Sequence, residues 1–220
     1  MQETTLHSAL KDIYAIPGAC KEVLVDGFYI DVVQGDLLIE IQTRNFTAIR
    51  TKLIALVERH PVRLVHPIAQ EKWIVRLPAE GGRSLSRRKS PRRGRLEHIF
   101  VELVRIPDLL NHPNFSLEVL LIREEEIRRD DGKGSWRRKG VSITDRRLLD
   151  VIDRSLYTSP NDLRNLLPPE LEQPFTTRQL AEKLAIPRNL ATRMCYCLRS
   201  MSILRVAGKQ NHFYLYALSE

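Results

Sequence analysis

The sequence has few cysteines and no long apolar run. Its three cysteines, Cys20, Cys195 and Cys197, supply neither a metal-binding quartet nor an even disulfide set. The 220 residues contain no uninterrupted apolar stretch of about 20 residues and no secretory leader. We therefore expect a cytoplasmic protein that uses neither a membrane partner nor a small-molecule cofactor.

Acidic residues are missing from one basic stretch in the middle of the chain. Residues 81–95 carry seven Lys and Arg side chains and no Asp or Glu. Residues 1–82 carry 9 Lys and Arg against 10 Asp and Glu, which gives a net charge of −1. Residues 83–140 carry 15 against 9, for a net charge of +6, and residues 141–220 carry 11 against 8, for a net charge of +3. This distribution fits a polyanionic partner. The basic stretch has little to bury, which predicts a flexible loop that phosphates would order.

Hydrophobic spacing divides the chain into three parts: a core over 1–80, a basic extension over 81–140 that can complete it, and a last domain over 141–220. In the core, the element order is α-β-β-β-α-β-β, which predicts an α/β fold with helices covering a sheet. The segments expected are helices over 4–16 and 45–60, strands over 21–25, 62–66 and 72–77, and, in the extension, a strand over 116–122.

The stretch from Phe28 to Gln42 predicts one β-hairpin. Both halves are rich in β-branched and aromatic residues, and Gly35-Asp36 suits a two-residue turn. Counting along the ladder then sets Asp31 opposite Glu40, with Cβ atoms about 5 Å apart. Two like charges so close need a cation between them, which favours a hard divalent metal. The opposite face is expected to be apolar and to fix the register, through Ile30, Val32, Leu37, Ile39 and Ile41.

Asp31 and the run Glu40-Ile41-Gln42 resemble the D…E-x-K core of the PD-(D/E)XK nuclease superfamily, in its restriction endonuclease-like and Holliday junction resolvase-like branch. The resemblance covers about residues 1–77. It implies a restriction endonuclease-like mixed sheet flanked by helices. It also implies a DNA endonuclease that hydrolyses phosphodiesters with a metal-activated water.

By this resemblance the catalytic residues are Glu3, Asp31, Glu40 and Gln42. Asp31, Glu40 and the backbone carbonyl of Ile41 would hold Mg²⁺ or Mn²⁺. Gln42 stands where the superfamily usually has lysine, although some of its restriction enzymes also have glutamine there. Its amide can position water but carries no charge, so a cation would come from His7, Arg44 or Lys52.

Residues 141–220 resemble a winged helix-turn-helix domain. A first helix is expected over 144–156 from its apolar spacing, and a second helix opens at Thr176 with a capping box to Gln179. A turn at 185–187, a recognition helix from Arg188 and two wing strands within 204–218 would follow.

DNA, duplex or branched, is the expected partner, and many relatives in the superfamily act as dimers, so a homodimer is possible. The predicted DNA contacts are Arg87, Arg88, Lys89, Arg92, Arg93, Arg137 and Arg138 in the basic extension, and Arg188, Asn189, Thr192, Arg193 and Lys209 in the last domain. Three alternatives stay open: a catalytically inactive DNA-binding regulator, a scaffold that grips a protein partner, and a nuclease that acts on RNA.

Overall fold

A mixed sheet of seven strands, flanked by helices, forms the larger part of the molecule. The computed structural model describes residues 4–78, 86–134, 136 and 140–219. The strands of this sheet are β1 Ala19–Val25, β2 Phe28–Gln34, β3 Leu37–Ile41, β4 Val62–Leu77, β5 Ser86–Lys89, β6 Phe115–Asp130 and β7 Val141–Tyr157. The helices of this part are α1 Thr5–Tyr14, α2 Arg50–Val57 and α3 Phe100–Leu103.

The strand order is β1-β2-β3-β4-β6-β7, and β5 pairs with the far half of β4. Strands β1 to β3 are an antiparallel meander, whereas β4 runs parallel to both β3 and β6. The two-residue turn predicted at Gly35 is confirmed, because Gln34 pairs with Leu37 and Gly35 takes a positive φ. Helix α2 provides the crossover that a parallel β3–β4 pair requires.

Apolar side chains pack on both faces of the sheet. Leu6, Leu10 and Tyr14 of α1 cover one face, against a cluster that includes Val32 and Ile39. Helix α2 covers the other face, where its buried side chains join a second and larger cluster. The apolar face predicted for the hairpin is wrong in one respect: Ile30 belongs to the α2 cluster and Val32 to the α1 cluster.

The helix expected over 144–156 is wrong, because this stretch is the edge strand β7. It pairs antiparallel with β6 from Val141 to Tyr157. Thr144, Leu149 and Ile152 are extra residues with no partner on β6, so three bulges interrupt the strand. Each bulge shifts the in–out alternation by one residue. Leu148, Leu149, Ile152 and Leu156, whose spacing suggests a helix, lie on this strand, where Leu149 and Leu156 are exposed. The sheet extends past the boundary expected at residue 141.

Two further strand predictions are also corrected. The strands expected over 62–66 and 72–77 are one strand, β4, which continues through a bulge between Ala69 and Glu71. The strand expected over 116–122 is longer and carries the acidic run 124–126 into the sheet. Gly94 packs against the bulge and donates from its backbone N–H to the Ala69 carbonyl at 2.9 Å.

The remaining elements are α4 Pro160–Arg164, α5 Thr177–Leu184, α6 Arg188–Ser200, β8 Leu204–Gln210 and β9 Phe213–Leu218. The capping box of Thr176 and Gln179 is confirmed at the start of α5. Buried residues of α5 and α6 belong to the same apolar cluster as α2 and the sheet, and Arg193 of α6 donates to the Val101 carbonyl of α3. Across the described ranges, no helix is long and apolar enough to span a membrane.

Candidate functional site

Asp31 and Glu40 are joined by crossed hydrogen bonds where β2 and β3 separate. Regular pairing of the two strands ends at Val32 and Ile39, one position before the two acids. Beyond it, the Asp31 carboxylate accepts the Ile41 N–H at 2.9 Å, and the Glu40 carboxylate accepts the Asp31 N–H at 3.4 Å. The acids are thus neighbours as predicted, but their carboxylates take the place of ladder bonds and do not stand side by side in a regular pair.

Each acid has a basic side chain from a different helix. His7 of α1 lies with Nε2 3.4 Å from Asp31 Oδ2 and 2.8 Å from the Ile41 carbonyl oxygen. Because both neighbours are acceptors, Nε2 carries the proton. Lys52 of α2 lies with Nζ 2.5 Å from Glu40 Oε1, and it also donates to the Tyr29 carbonyl. Two of the three side chains predicted as substitute cations are therefore in the site.

The two carboxyl groups differ in acidity. Burial raises the pKa of Glu40 to about 7, and Asp31 adds to the increase while Lys52 opposes it. Burial also favours the neutral form of Asp31, but hydrogen bonds from His7 and from the Ile41 N–H outweigh it and hold the Asp31 pKa below its usual value. One carboxylate is therefore firmly ionised, and the other, only 4% exposed, loses its proton near neutrality.

Gln42, for which a water-positioning role is predicted, makes a structural contact with its amide nitrogen. Its amide Nε2 donates to the carbonyls of Arg44 and Asn45, at 2.6 and 3.2 Å, and so fixes the loop after β3. Two residues that sequence reasoning missed support the same loop. His66 Nδ1 bonds the Gln42 carbonyl at 2.7 Å, and Glu102 accepts the Phe46 N–H at 3.1 Å. Their partners lie more than 20 positions away in the chain, so no local pattern reveals them.

A cavity of about 800 Å³ opens beside Asp31. Its walls come from α1, from the loop after β3 and from the first residues of β7. Asp145 of β7 accepts hydrogen bonds from the Thr5 N–H and hydroxyl, at 3.0 and 2.6 Å, and thereby ties the start of α1 to the sheet. Cationic and acidic side chains share the lining, among them His7, Lys11, Asp31, Arg44, Asp145 and Arg146.

The basic extension is more ordered than predicted. Residues 86–89 form β5, and the flexible loop expected over 81–95 is wrong for this part, because the chain pairs with β4. Arg87 and Lys89 flank the Trp73 ring at 5.1 and 5.0 Å. They also form ion pairs with Glu125 and Glu71, at 2.6 and 2.7 Å, so their charge is largely balanced within the sheet. Arg88, Arg92 and Arg93 are exposed.

The predicted contacts of the last domain lie on α6 and its hairpin. Arg188, Asn189 and Thr192 are exposed on one side of α6. Arg193 instead turns toward α3, where Nη1 lies 3.3 Å from the Val101 carbonyl oxygen. Lys209 lies on β8 with its ammonium 4.9 Å from the Tyr214 ring centre. Glu3, Arg137 and Arg138 lie outside the described residues.

The oxygen donors near Asp31 fit a hard divalent cation. In the part of the chain that the structure describes, no three His, Cys, Asp or Glu side chains gather into a metal-binding group. His7 Nε2 joins the Asp31 carboxylate to the Ile41 carbonyl, and the Glu40 carboxylate adjoins them through its bond with the Asp31 N–H. Such a set suits Mg²⁺, which keeps several waters and takes few protein ligands.

Comparison with known proteins places the sheet in one family. A family model described as "Domain of unknown function (DUF8091)" matches residues 4–158, which include every strand of the large sheet. An uncharacterized protein of Treponema pallidum (strain Nichols) is 36% identical over 182 residues, which cover 82% of this chain and 72% of that protein. No solved structure matches the chain.

Proposed function

Because the chain belongs to the DUF8091 family, whose description assigns no activity, we propose its function from the site: metal-dependent hydrolysis of phosphodiester bonds in DNA. The observation that carries the proposal is the crossed pair of Asp31 and Glu40, with the Ile41 carbonyl and the Lys52 ammonium beside it. The order of elements supports it. The α1-β1-β2-β3-α2-β4 succession agrees with the order that the nuclease resemblance implies.

Asp31, Glu40 and the Ile41 carbonyl would hold Mg²⁺ or Mn²⁺. When bound, such an ion polarises the scissile phosphate and lowers the pKa of a bound water. Lys52 supplies the positive charge that Gln42 cannot supply, and it is placed for this by its ion pair with Glu40. His7 holds a proton between Asp31 and the Ile41 carbonyl, so its imidazole stabilises these acceptors in the metal-free protein.

The last part of the chain supports docking on DNA. Helix α4, a bridge at Phe175, helices α5 and α6 and the β8–β9 hairpin follow one another as in a winged helix-turn-helix domain. In this assignment α4 replaces the first helix that was expected within β7. The exposed side of α6 and the hairpin would then contact the nucleic acid, while Arg193 serves the packing of α6 on α3.

The test is cleavage of a panel of end-labelled DNA: duplex, four-way junction, flap and single strand, each with Mg²⁺, Mn²⁺ or EDTA. Asp31→Asn keeps the side-chain shape but removes the charge, and we expect it to abolish cleavage. Asp36→Asn is the matched control, because Asp36 is exposed in the turn of the same hairpin. Cleavage that persists in Asp31→Asn, or in EDTA, would show that the proposed site does not do the chemistry.

A catalytically silent DNA-binding protein is the second candidate. The observation that favours it is the uncharged Gln42 amide, which bonds the loop from the position where the superfamily usually has lysine. The same panel separates the two functions. DNA binding without cleavage by the wild type in both metals, together with no Mn²⁺ binding by calorimetry, would establish the silent protein.

A further inference from the structure

The end of the chain combines cations with exposed aromatic rings. Residues 188–219 contain five Lys and Arg side chains and no Asp or Glu. Among the described residues, five large aromatic side chains are classed as exposed, and three of them lie in this segment. Tyr196 on α6 is 44% exposed, and Phe213 and Tyr214 on β9 are 47% and 46% exposed. Exposed rings in a basic segment are typical of surfaces that receive a polyanion with flat groups.

Two of the rings already hold a cation. The Arg188 guanidinium carbon lies 4.7 Å from the centre of the Phe213 ring, and the Lys209 ammonium lies 4.9 Å from that of Tyr214. Both pairs are at the tip of the β8–β9 hairpin, where Lys209 pairs with Tyr214 and Gln210 with Phe213. At the hairpin tip, a phosphate can therefore contact a cationic side chain while the neighbouring base stacks on an aromatic ring.

The hairpin is held firmly below these rings. Phe175 and Tyr216 exchange two backbone hydrogen bonds, at 2.9 and 2.7 Å, and their rings lie 6.3 Å apart. Tyr216 is buried, and its ring meets Tyr214 edge-on with centres 6.5 Å apart. The exposed rings thus rise from an anchored strand. Such rings lose little conformational freedom when a base stacks on them.

The contacts of the α6 side chains give less support to the alternative that this helix reads the bases of duplex DNA. Arg193 donates to the Val101 carbonyl, and the Thr192 hydroxyl donates to the Arg188 carbonyl at 3.0 Å. Two of the four α6 side chains predicted to reach base edges or phosphates are therefore engaged within the protein. Stacking needs no hydrogen-bonding edge, because every base has a flat face.

We propose that the hairpin tip, with Phe213 and Tyr214 as stacking rings and Arg188 and Lys209 as phosphate contacts, binds unpaired bases of single-stranded nucleic acid. This binding site rests on the proposed nucleic-acid function but not on the cleavage chemistry. It also gives the substrate a class: the site fits a strand end, flap or branch with unpaired nucleotides better than a continuous duplex.

The test uses fluorescence anisotropy with the full chain in EDTA, in an Asp31→Asn background, so cleavage has no influence. The probes are a thymidine 15-mer, an abasic 15-mer with the same number of phosphates, a 15-base-pair duplex and a uridine RNA 15-mer. We expect the thymidine strand to bind at least about tenfold tighter than the abasic strand, since stacking contributes roughly 5- to 150-fold per base.

Variants then assign the binding to the rings. Phe213→Leu and Tyr214→Leu keep apolar bulk on β9, and together they should remove the preference for thymidine over abasic DNA. Tyr214→Phe retains the ring and should retain the preference, and unchanged circular dichroism of the two leucine variants excludes a folding defect as the cause. Equal binding of the thymidine and abasic strands, tighter binding of the duplex, or equal losses in Tyr214→Phe and Tyr214→Leu would each overturn the proposal.

The RNA probe identifies the source of the bases. Tighter binding of the thymidine strand assigns the stacking site to DNA, and tighter binding of the uridine strand assigns it to RNA; both outcomes support stacking of unpaired bases. Failure of DNA cleavage with intact thymidine preference would refute the enzyme while leaving this site in place. Cleavage of DNA without a preference for the thymidine strand would support the enzyme and refute the stacking site.

Discussion

Replacing Glu40 by glutamine should make the stability of the protein less dependent on pH. Glu40 of β3 is buried beside β2 and α2. Burial raises its pKa to about 7 from an ordinary value of 4.5. A group whose pKa is higher in the folded protein binds its proton more tightly there. It stabilises the fold below its unfolded pKa, and this stabilisation is lost as the pH rises through the folded pKa.

The size of the effect follows from the two pKa values. Between pH 5 and pH 8, the Glu40 carboxyl should lower the free energy of unfolding by about 2.5 kcal/mol. Two neighbouring groups do not obscure this change. Asp31 has a lowered pKa, so its contribution changes only below its ordinary value of 3.8. His66, whose pKa burial lowers, gives the opposite slope below pH 6.5, but it does so equally in wild type and variant.

The assay is urea unfolding of wild type and Glu40→Gln at pH 5 and pH 8 in EDTA, followed by circular dichroism. We expect the variant to gain about 2.5 kcal/mol relative to wild type on going from pH 5 to pH 8. Glu170→Gln, at an exposed position between α4 and α5, should follow the wild type at both pH values. If wild type and Glu40→Gln change in parallel, Glu40 is not a buried carboxyl with a raised pKa, and the site is built differently.

Other changes test other parts of the structure. Lys52→Ala leaves Glu40 buried without its cation, and urea unfolding at pH 8 should show a loss of about 3 kcal/mol, the lower end for a broken buried pair because Lys52 is only partly buried. Gly94→Ala should destabilise by about 2 kcal/mol, because a Cβ there would lie 2.5 Å from the Ala69 carbonyl oxygen. Gly208→Ala is its control, since the nearest atom to that Cβ would be 4.0 Å away; equal unfolding midpoints for the two variants would contradict the packing at Ala69. Thr176→Ala removes the capping oxygen of α5 and should cost about 1 kcal/mol in the same assay, whereas an unchanged midpoint would mean that the capping box adds nothing.

Local signals in the sequence predicted the elements that depend on local physics. The Gly35 turn, the cap of α5 and the apolar stripe of α1 each involve residues within a few positions of one another. Steric and hydrogen-bonding preferences over such short ranges act before tertiary contacts form. For that reason the predicted hairpin and its two acids were found at the predicted residues.

The misassigned strand β7 shows where local reasoning fails. The spacing of Leu148, Leu149, Ile152 and Leu156 also suits a helix, and only the pairing with β6 shows that the segment is extended. The pairing of Arg87 with Glu125, and of Lys89 with Glu71, likewise spans 38 and 18 positions. The basic run that indicates a free loop in the sequence therefore forms, in part, a strand in which Arg87 and Lys89 are paired with acids.

Local patterns in the sequence are enough to predict two neighbouring acids on a hairpin and a basic, partly aromatic segment over 188–219. The basic side chains that accompany those acids, and the way they are held, follow only from the packing of the fold. His7 and Lys52 come from helices on either side of the sheet, 24 residues before Asp31 and 12 after Glu40. Their approach depends on how β2 and β3 separate and on which helix covers which face. These are properties of packing between distant segments, and no local pattern encodes them.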